Sequence, residues 1–481
     1  MSRYQRAFIV LLAFLAAVPA GAWEYAFGPT TTADQGLRRV LPYRGCIGGW
    51  PPGYVAIGTK DQWGADPDVY VVYTDLNGWP VWEMSYDVLI GNFADEGVAI
   101  LELPNKGFVF LSNVLKAGVQ WMPALTYIRC DGSFVRTVLY PDAASGNLWG
   151  RDLIRTRTGD PSQGTAPGDL AIAGNWQNGA DEDAFLMRTD AGGGLLWNVA
   201  YDIFTSEAFN ALTEATPLPG QTTGDLVAVG RYLKDFTNLQ GLVARVSGDD
   251  GSTLGAQHCL VYHGDFAQEE YRSVIELQSA DYFGEFAMAG KTSQAGWSDD
   301  IWVTRGTPCV QNRQSRIGDA GGIRDEEAFD LREVQVDASG APAGSLAIAG
   351  AEGPLGGPSD GALLFVDTAT LMPMGGGNVF GGALAEAFFS LAENPAGGAH
   401  PAGFVMAGKT ETDWDGNGDP RDLYLVYEHP DLASCRIPWT PSGVGLTWPE
   451  EPLPYTKSVP AYEADEKAKE TGWFTPVPIC P

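Results

Sequence analysis

One short apolar segment recurs seven times along this chain, and this repeat constrains the fold more than any other feature. Each copy is bounded by small residues, as in Gly168-Asp-Leu-Ala-Ile-Ala-Gly174. A mostly apolar run of this length between glycines predicts a strand that is buried on both faces. The copies end at Gly58, Ser112, Gly174, Gly230, Gly290, Gly350 and Gly408, at intervals of 54 to 62 residues. Self-similarity at a nearly fixed period predicts a repeat architecture.

Three further strands can be placed around each copy. An acidic residue opens a short apolar run before it, as at Glu207, and two aspartates seven residues apart mark the strand after it, as at Asp183 and Asp190. A glycine-containing hairpin and a strand with aromatic residues four apart, such as Trp197 and Tyr201, complete the unit. Seven such units predict an all-β fold, a seven-bladed β-propeller of four-stranded antiparallel blades. Eight blades are the main alternative.

The two ends of the repeat region match each other. Trp23-Glu-Tyr-Ala-Phe27 resembles Trp82-Glu-Met-Ser-Tyr86, a fourth strand that lies one repeat further on. We therefore expect the ring to close by the N-terminal strand pairing into the last blade, because closure removes two exposed sheet edges. This predicts a propeller over residues 23–429. The Pro-rich and charged residues 430–481 do not repeat and are expected to form a tail packed on the propeller.

Residues 1–22 have the pattern of an export signal. Arg3 and Arg6 precede an apolar run from Ala7 to Val18, and small residues end at Ala22, near which cleavage is expected. A retained membrane anchor is the alternative, although the apolar run is short for a span. The predicted location is secreted, or else periplasmic or at the cell surface.

The charge balance restricts the partners. The 481 residues include 60 acidic and 30 basic ones, for a formal net charge of −30. Such a field repels phosphate backbones and anionic lipid heads, so we expect no nucleic acid partner and no membrane insertion. The expected partner of this monomer is a protein or glycan ligand. Most of the charge is interpreted as a means of solubility.

Six cysteines follow the leader, an even number that favours disulfides in an exported chain. We expect Cys259 to pair with Cys309 across neighbouring blades. Cys480 is expected to tie the tail to Cys46 or to Cys435.

With these blade motifs, the chain resembles a broad group of secreted bacterial β-propeller-repeat proteins. The clearest copy of their acid-acid-Ala opening is Asp325-Glu-Glu-Ala328, followed by Gly344 to Gly350. The likeness runs from Trp23 to about His429 and implies a propeller and export. Because the group has no single activity, the resemblance implies no catalytic residue.

The strongest local motif is a loop of alternating oxygen ligands, a pattern that lets a chain curl around Ca²⁺. Its predicted ligands are Asp413, Asp415, Asn417, Asp419 and Asp422. Tyr424 stands where an EF-hand needs a bidentate Glu, so the loop is of another type. The alternative is a polar hairpin that caps its own backbone. The weaker candidates are Asp66 with Asp68, Asp181 with Asp183, and Asp299 with Asp300.

The acids that open the first strands form a second candidate site, composed of Glu96, Glu207, Glu270, Glu327 and Glu386. First strands line a propeller axis, so these acids could form an acidic ring at one mouth of the tunnel. The favoured alternative is structural, with each Glu accepting hydrogen bonds from backbone N–H groups of the adjacent blade. Gln35 at the aligned position of the first unit weakens a full ring.

Signals for catalysis are few. The four histidines, His258, His263, His400 and His429, lack metal-ligand spacings, and no GxSxG motif occurs. The arginines are scattered along the sequence without an evident anion-binding cluster. Five tryptophans near the loops between second and third strands suit ligand stacking or packing beneath those loops: Trp63, Trp121, Trp176, Trp297 and Trp414.

We therefore predict a non-enzymatic binding or surface-interaction propeller, stabilised by structural Ca²⁺, that binds through the face carrying those loops. The alternatives are an extracellular propeller enzyme acting on carbohydrate and a structural component of a cell envelope assembly. A non-repeating cluster of acids, His or Arg in a deep pocket would favour an enzyme over binding alone.

Overall fold

The structure is a computed structural model that describes residues 23–27, 36–46, 50–61, 67–88, 94–116, 120–141, 146–202, 206–219, 221–235, 238–253, 258–264, 268–293, 298–318, 324–336, 341–375, 377–381, 384–394, 402–411 and 422–428. It also describes five short C-terminal strands within residues 437–478. The predicted leader, residues 1–22, and the predicted calcium ligands from Asp413 to Asp419 lie outside the described residues.

The first strand is β1 (Trp23–Phe27). Blade 1 contains β2 (Gly36–Tyr43), β3 (Gly53–Asp61), β4 (Pro67–Asp75) and β5 (Pro80–Tyr86). Blade 2 contains β6 (Asp95–Glu102), β7 (Phe108–Lys116), β8 (Gln120–Ile128) and β9 (Phe134–Leu139). Blade 3 contains β10 (Asn147–Arg155), β11 (Leu170–Asn178), β12 (Asp181–Thr189) and β13 (Leu195–Tyr201), with a short 3-10 helix at Pro161–Gln163.

Blade 4 contains β14 (Glu207–Glu214), β15 (Leu226–Asp235), β16 (Asn238–Val246) and β17 (Cys259–His263). Blade 5 contains β18 (Gln268–Glu276), β19 (Phe286–Ser293), β20 (Asp299–Thr307) and β21 (Val310–Gly318). Blade 6 contains β22 (Arg324–Glu333), β23 (Leu346–Pro354), β24 (Asp360–Val366) and β25 (Gly377–Phe380). Blade 7 contains β26 (Glu386–Asn394), β27 (Gly403–Thr410) and β28 (Asp422–Glu428).

The predicted seven-bladed propeller is confirmed. Within each blade the strands pair in chain order and antiparallel, and the seven repeated apolar segments are the second strands. Blade 7 takes its fourth strand from the N-terminus, because β1 pairs with β28 from Trp23 opposite Tyr427 to Phe27 opposite Leu423. The ring is therefore closed by the first described strand, as the repeated Trp-Glu motif predicts.

A β-bulge in every first strand explains the glycine that ends most repeats. In blade 4 the register between β14 and β15 shifts between Phe209 and Ala211, and Gly230 lies opposite the bulge. A Cβ at Gly230 would lie 1.9 Å from the carbonyl oxygen of Ala208, so only glycine fits there. Blade 2 has Ser112 at this position, opposite Gly97 of the first strand.

The apolar core lies between the blades. Val55 and Val71 of blade 1 are fully buried in one cluster with Phe108 and Phe110 of blade 2. Burying each such side chain contributes about 1.5–3 kcal/mol. The blades are also joined by the tyrosine near the end of the fourth strand: the Tyr201 hydroxyl donates to the Gly251 carbonyl of the next blade at 2.8 Å.

The C-terminal segment contributes short strands to the outer edges of five blades. They are β29 (Ile437–Trp439) on β25, β30 (Ser442–Leu446) on β21, β31 (Tyr462–Ala464) on β9, β32 (Ala468–Glu470) on β5 and β33 (Val477–Pro478) on β1. In chain order this segment reaches blades 6, 5, 2, 1 and 7. The described residues include no helix long and apolar enough to cross a membrane.

Two disulfides link neighbouring blades. Cys259 pairs with Cys309 between blades 4 and 5, which confirms that prediction. Cys46 pairs with Cys130 between blades 1 and 2, so the predicted bond from Cys46 to Cys480 is wrong. The alternative between Cys435 and Cys480 lies outside the described residues and stays a prediction.

Candidate binding channel

The first strands surround a central channel with a cavity of about 690 Å³. Six basic and three acidic side chains line it, in a chain whose overall charge is strongly negative. The sequence did not predict this site, because its residues come from separate blades. Linear sequence gives no sign that these scattered arginines lie on one wall.

The bulge residues form the most variable part of this wall. A bulge leaves one residue out of the ladder and redirects its side chain, and here all seven such side chains line the channel. We call them the bulge ring: Arg38, Val98, Arg151, Asn210, Arg272, Phe329 and Phe389. Their positions repeat from blade to blade while their chemistry does not.

Two aromatic residues of the ring support two of its arginines. The Phe329 and Phe389 rings meet edge to face with centroids 5.0 Å apart. The Arg38 guanidinium lies 4.6 Å from the Phe389 centroid, and that of Arg272 lies 5.3 Å from the Phe329 centroid. Such cation–π contacts hold the guanidinium groups in place next to an apolar surface.

Arg39 lies just beyond the ring and interacts across the channel. Its guanidinium is 3.4 Å from Asp152 of blade 3. Burial works to lower the pKa of Arg39, but the carboxylates of Asp152 and of Asp330 in blade 6 raise it. These two aspartates also accept backbone N–H groups of the next blade, Leu212 for Asp152 and Leu391 for Asp330, each at 2.9 Å. The wall here is a bonded network of charged groups.

The acids considered for an acidic ring lie in different environments. Glu207 and Glu386 are fully buried, whereas Glu96 is exposed. Glu270 and Glu327 are both bound to Arg272, at 3.3 and 2.6 Å.

Further ion pairs extend this cluster around the mouth. Arg231 lies 3.4 Å from Glu182, and Lys291 lies 3.0 Å from Asp299. The channel mouth across blades 3 to 6 therefore carries alternating charge.

The structural role favoured for the opening acids is seen clearly at a second set of glutamates. Six or seven residues after the opening acid, a glutamate accepts backbone N–H groups of the preceding blade, and this glutamate is buried in three of the four cases. Glu333 accepts the N–H groups of Gln278 and Ser279 at 2.6 and 2.9 Å. We call the set the clamp glutamates: Glu214, Glu276, Glu333 and Glu393. Their regular spacing was visible in the sequence.

An acid pair lies between blades 6 and 7. A Cβ at Gly381 would contact carboxylate oxygens of both Asp360 and Glu386, at 2.0 and 2.9 Å. Burial, together with the negative charges of Glu386 and Glu352, raises the pKa of Asp360 to about 6. Asp360 therefore binds a proton far more readily than an ordinary aspartate.

The weaker metal candidates fall into different surroundings. Asp68 is brought together with Asp87 and Asp95, and a second trio contains Asp181, Asp183 and Asp202. In each trio the oxygens lie within 4.8 Å of one another. Asp300 instead pairs with Arg316. Of the strongest predicted loop, only Asp422 is described, as the first residue of β28, while Asp413, Asp415, Asn417 and Asp419 lie outside the described residues.

The two described histidines and Trp176 take structural positions. His263 is buried, which lowers its pKa to about 4, and one of its ring nitrogens lies 2.9 Å from the Tyr271 hydroxyl. His258 lies 3.2 Å from Asp225. Trp176 is buried at 7% exposure, which favours packing over stacking on a ligand. The other predicted residues outside the described ranges are His400, His429, Trp63, Trp297 and Trp414.

Comparison with known proteins adds propellers of low similarity. No protein-family model and no curated protein matches the chain. The crystal structure of Sqt1 from Chaetomium thermophilum is similar over 82% of this chain and 97% of its own, with 11% identity and a TM-score of 0.41. The same protein bound to the N-terminus of the ribosomal protein L10 matches with 11% identity and a TM-score of 0.42, over 83% of this chain and 98% of that one.

These matches correct one prediction. The predicted secreted, periplasmic or cell-surface location is wrong by this comparison, since the similar solved structures are of Sqt1, a protein seen with a ribosomal protein segment. At this level of identity the likeness concerns the fold alone, a closed β-propeller.

Proposed function

We propose that this chain is a non-enzymatic binding propeller that receives a segment of a partner protein in its central channel. The observation that carries the proposal is the bulge ring, where a strictly repeated backbone position presents seven side chains of differing chemistry to one cavity. A cavity of about 690 Å³ is within the range of ligand-binding pockets. The entry face is that of the loops between second and third strands.

A non-repeating cluster of charged residues in a pocket was also the feature expected of an enzyme. The chemistry of the channel residues therefore has to distinguish catalysis from binding. Glycoside hydrolysis needs one carboxyl that holds a proton and one that does not. In the channel wall, burial opposes ionisation of Asp330, but Arg332, Arg39 and backbone N–H donors keep its pKa below the ordinary value. Asp152 accepts the Leu212 N–H and pairs with Arg39. Both are committed to holding the blades, which favours binding.

The test compares two Val→Trp variants of blade 2. Val98→Trp fills the channel from the bulge ring, whereas Val135→Trp changes a side chain that is 48% exposed on the outer strand. Peptides selected on the wild-type protein from a random peptide library are expected to lose binding to the first variant and keep it with the second. Selected peptides that bind both variants equally, or a protein that binds only a glycan array, would refute the proposal.

We also propose structural Ca²⁺ at Asp413, Asp415, Asn417, Asp419 and Asp422, on the basis of the alternating oxygen ligands alone. EDTA is expected to lower the melting temperature of the wild-type protein, because a ligand that binds only the folded state stabilises it. A variant with Asp413→Asn and Asp415→Asn is expected to melt at one temperature with or without EDTA. An unchanged wild-type melt would remove calcium from the description. The monomeric state stays a prediction.

A further inference from the structure

We propose that the central channel binds an acidic peptide segment, whose carboxylates are held by Arg38, Arg151 and Arg272. This inference rests on the proposed function, since both place the ligand in the channel. It adds the chemistry of the ligand and the residues that recognise it.

The three arginines share one level of the channel. Each is the bulged residue of its first strand, next to the register shift that follows Leu37, Gly150 or Tyr271. They belong to blades 1, 3 and 5, so they approach the axis from three sides. One ligand in the channel can therefore meet three guanidinium groups at once.

Charge around Arg151 favours an incoming anion. Desolvation in the channel lowers the pKa of Arg151, and the nearby positive charges of Arg231 and Arg272 lower it further, while Glu182 and Glu270 act in the opposite direction. A carboxylate placed among these groups would relieve the repulsion between them. Guanidinium groups bind carboxylates through paired N–H donors, which gives directional recognition as well as attraction.

The rest of the molecule favours a short acidic segment over other anions. A net charge of −30 repels a long polyanion such as a nucleic acid far more strongly than a short peptide with a few carboxylates. The Phe329–Phe389 pair sets an apolar surface beside Arg38 and Arg272. A peptide can place an apolar side chain on these rings and carboxylates on the arginines, whereas inorganic phosphate uses only the arginines.

Fluorescence anisotropy with a labelled Glu-Glu-Leu-Glu-Glu peptide tests the proposal on the full chain. We expect the corresponding glutamine peptide to bind at least about tenfold more weakly. The double variant Arg38→Gln with Arg151→Gln should lose a similar factor for the acidic peptide. The matched control, Arg129→Gln with Arg313→Gln, makes the same charge change at two exposed arginines and should bind like the wild type.

The outcomes separate the two proposals. If Val98→Trp abolishes peptide binding while the Arg38/Arg151 variant binds normally, the channel is the site and the acidic chemistry is wrong. If neither change has an effect, both proposals fail. Tripolyphosphate that binds the channel when the acidic peptide does not would make it a phosphate site and overturn the peptide assignment. A melting curve for each variant shows that it is folded, and the Arg38→Lys, Arg151→Lys variant should recover part of the lost affinity.

Discussion

The clamp glutamates lie on four of the seven first strands that carry the bulge ring, yet the two sets obey opposite rules. At the clamp position four glutamates each join a carboxylate to backbone N–H groups of the neighbouring blade. At the bulge position the seven side chains include Arg, Val, Asn and Phe. The repeated glutamate serves a task that several blades share. A residue that varies at a repeated position serves a task that belongs to the whole ring.

Both the clamp glutamates and the bulge ring depend on a closed ring of blades. Removing the closing strand is therefore expected to have the largest effect on stability. Deleting residues 23–27 exposes the edge of β28 and separates blade 7 from its fourth strand. We expect a loss that approaches the entire stability of a domain, about 5–15 kcal/mol. Chemical denaturation measures it, and truncation before Val477, which removes a two-residue outer strand, is the milder control. Equal stability of both truncated chains would contradict closure by β1.

Breaking one clamp should have the next largest effect. Glu333→Ala leaves the N–H groups of Gln278 and Ser279 without their carboxylate, and we expect a loss of about 2–3 kcal/mol in the free energy of unfolding. Asp281→Ala, in the exposed loop that follows those residues, is the control and should change little. A clamp variant as stable as this control would show that the repeated glutamate has another task.

The acid pair between blades 6 and 7 should give a smaller effect that depends on pH. The pKa of Asp360 is raised in the folded state, so its contribution to stability falls as pH rises from about 4 to about 6 and then levels off. Asp360→Asn is therefore expected to stabilise the protein at pH 7.5 by about 1 kcal/mol, the partial exposure of the group being allowed for. Near pH 4 the variant and the wild type should unfold alike. A pH-independent difference would contradict this origin.

The smallest effect on stability is expected in the bulge ring. Arg151→Ala removes a hydrogen bond to Asn175 but also a positive charge close to Arg231 and Arg272. We expect the free energy of unfolding to change by no more than about 0.5 kcal/mol, while binding of an acidic peptide weakens. A large loss of stability, comparable to that of Glu333→Ala, would remove the distinction between clamp and ring.

Much of the scaffold could be predicted from local pattern. Small residues around an apolar run identified the second strand of each blade. The motif at Trp23, which resembles the one at Trp82, identified the closing strand. The burial and the partners of the acidic residues were harder to predict. Glu207 and Glu327 look equivalent in sequence, but Glu207 lies three residues before its bulge residue and Glu327 only two. Glu207 is therefore fully buried, whereas Glu327 pairs with Arg272. The predicted calcium ligands gain no support from the described residues.

The sequence by itself determined the repeat, the blade count and the ring closure, because each depends on residues that are near one another or one period apart. Only the tertiary structure decided the channel. Arg38, Arg151 and Arg272 are separated by more than one repeat, and a bulge in each first strand turns each of them toward the axis. The ring brings these arginines together because all seven blades surround one axis. The charged side chains that line the channel are therefore mainly basic, although the whole chain is strongly acidic.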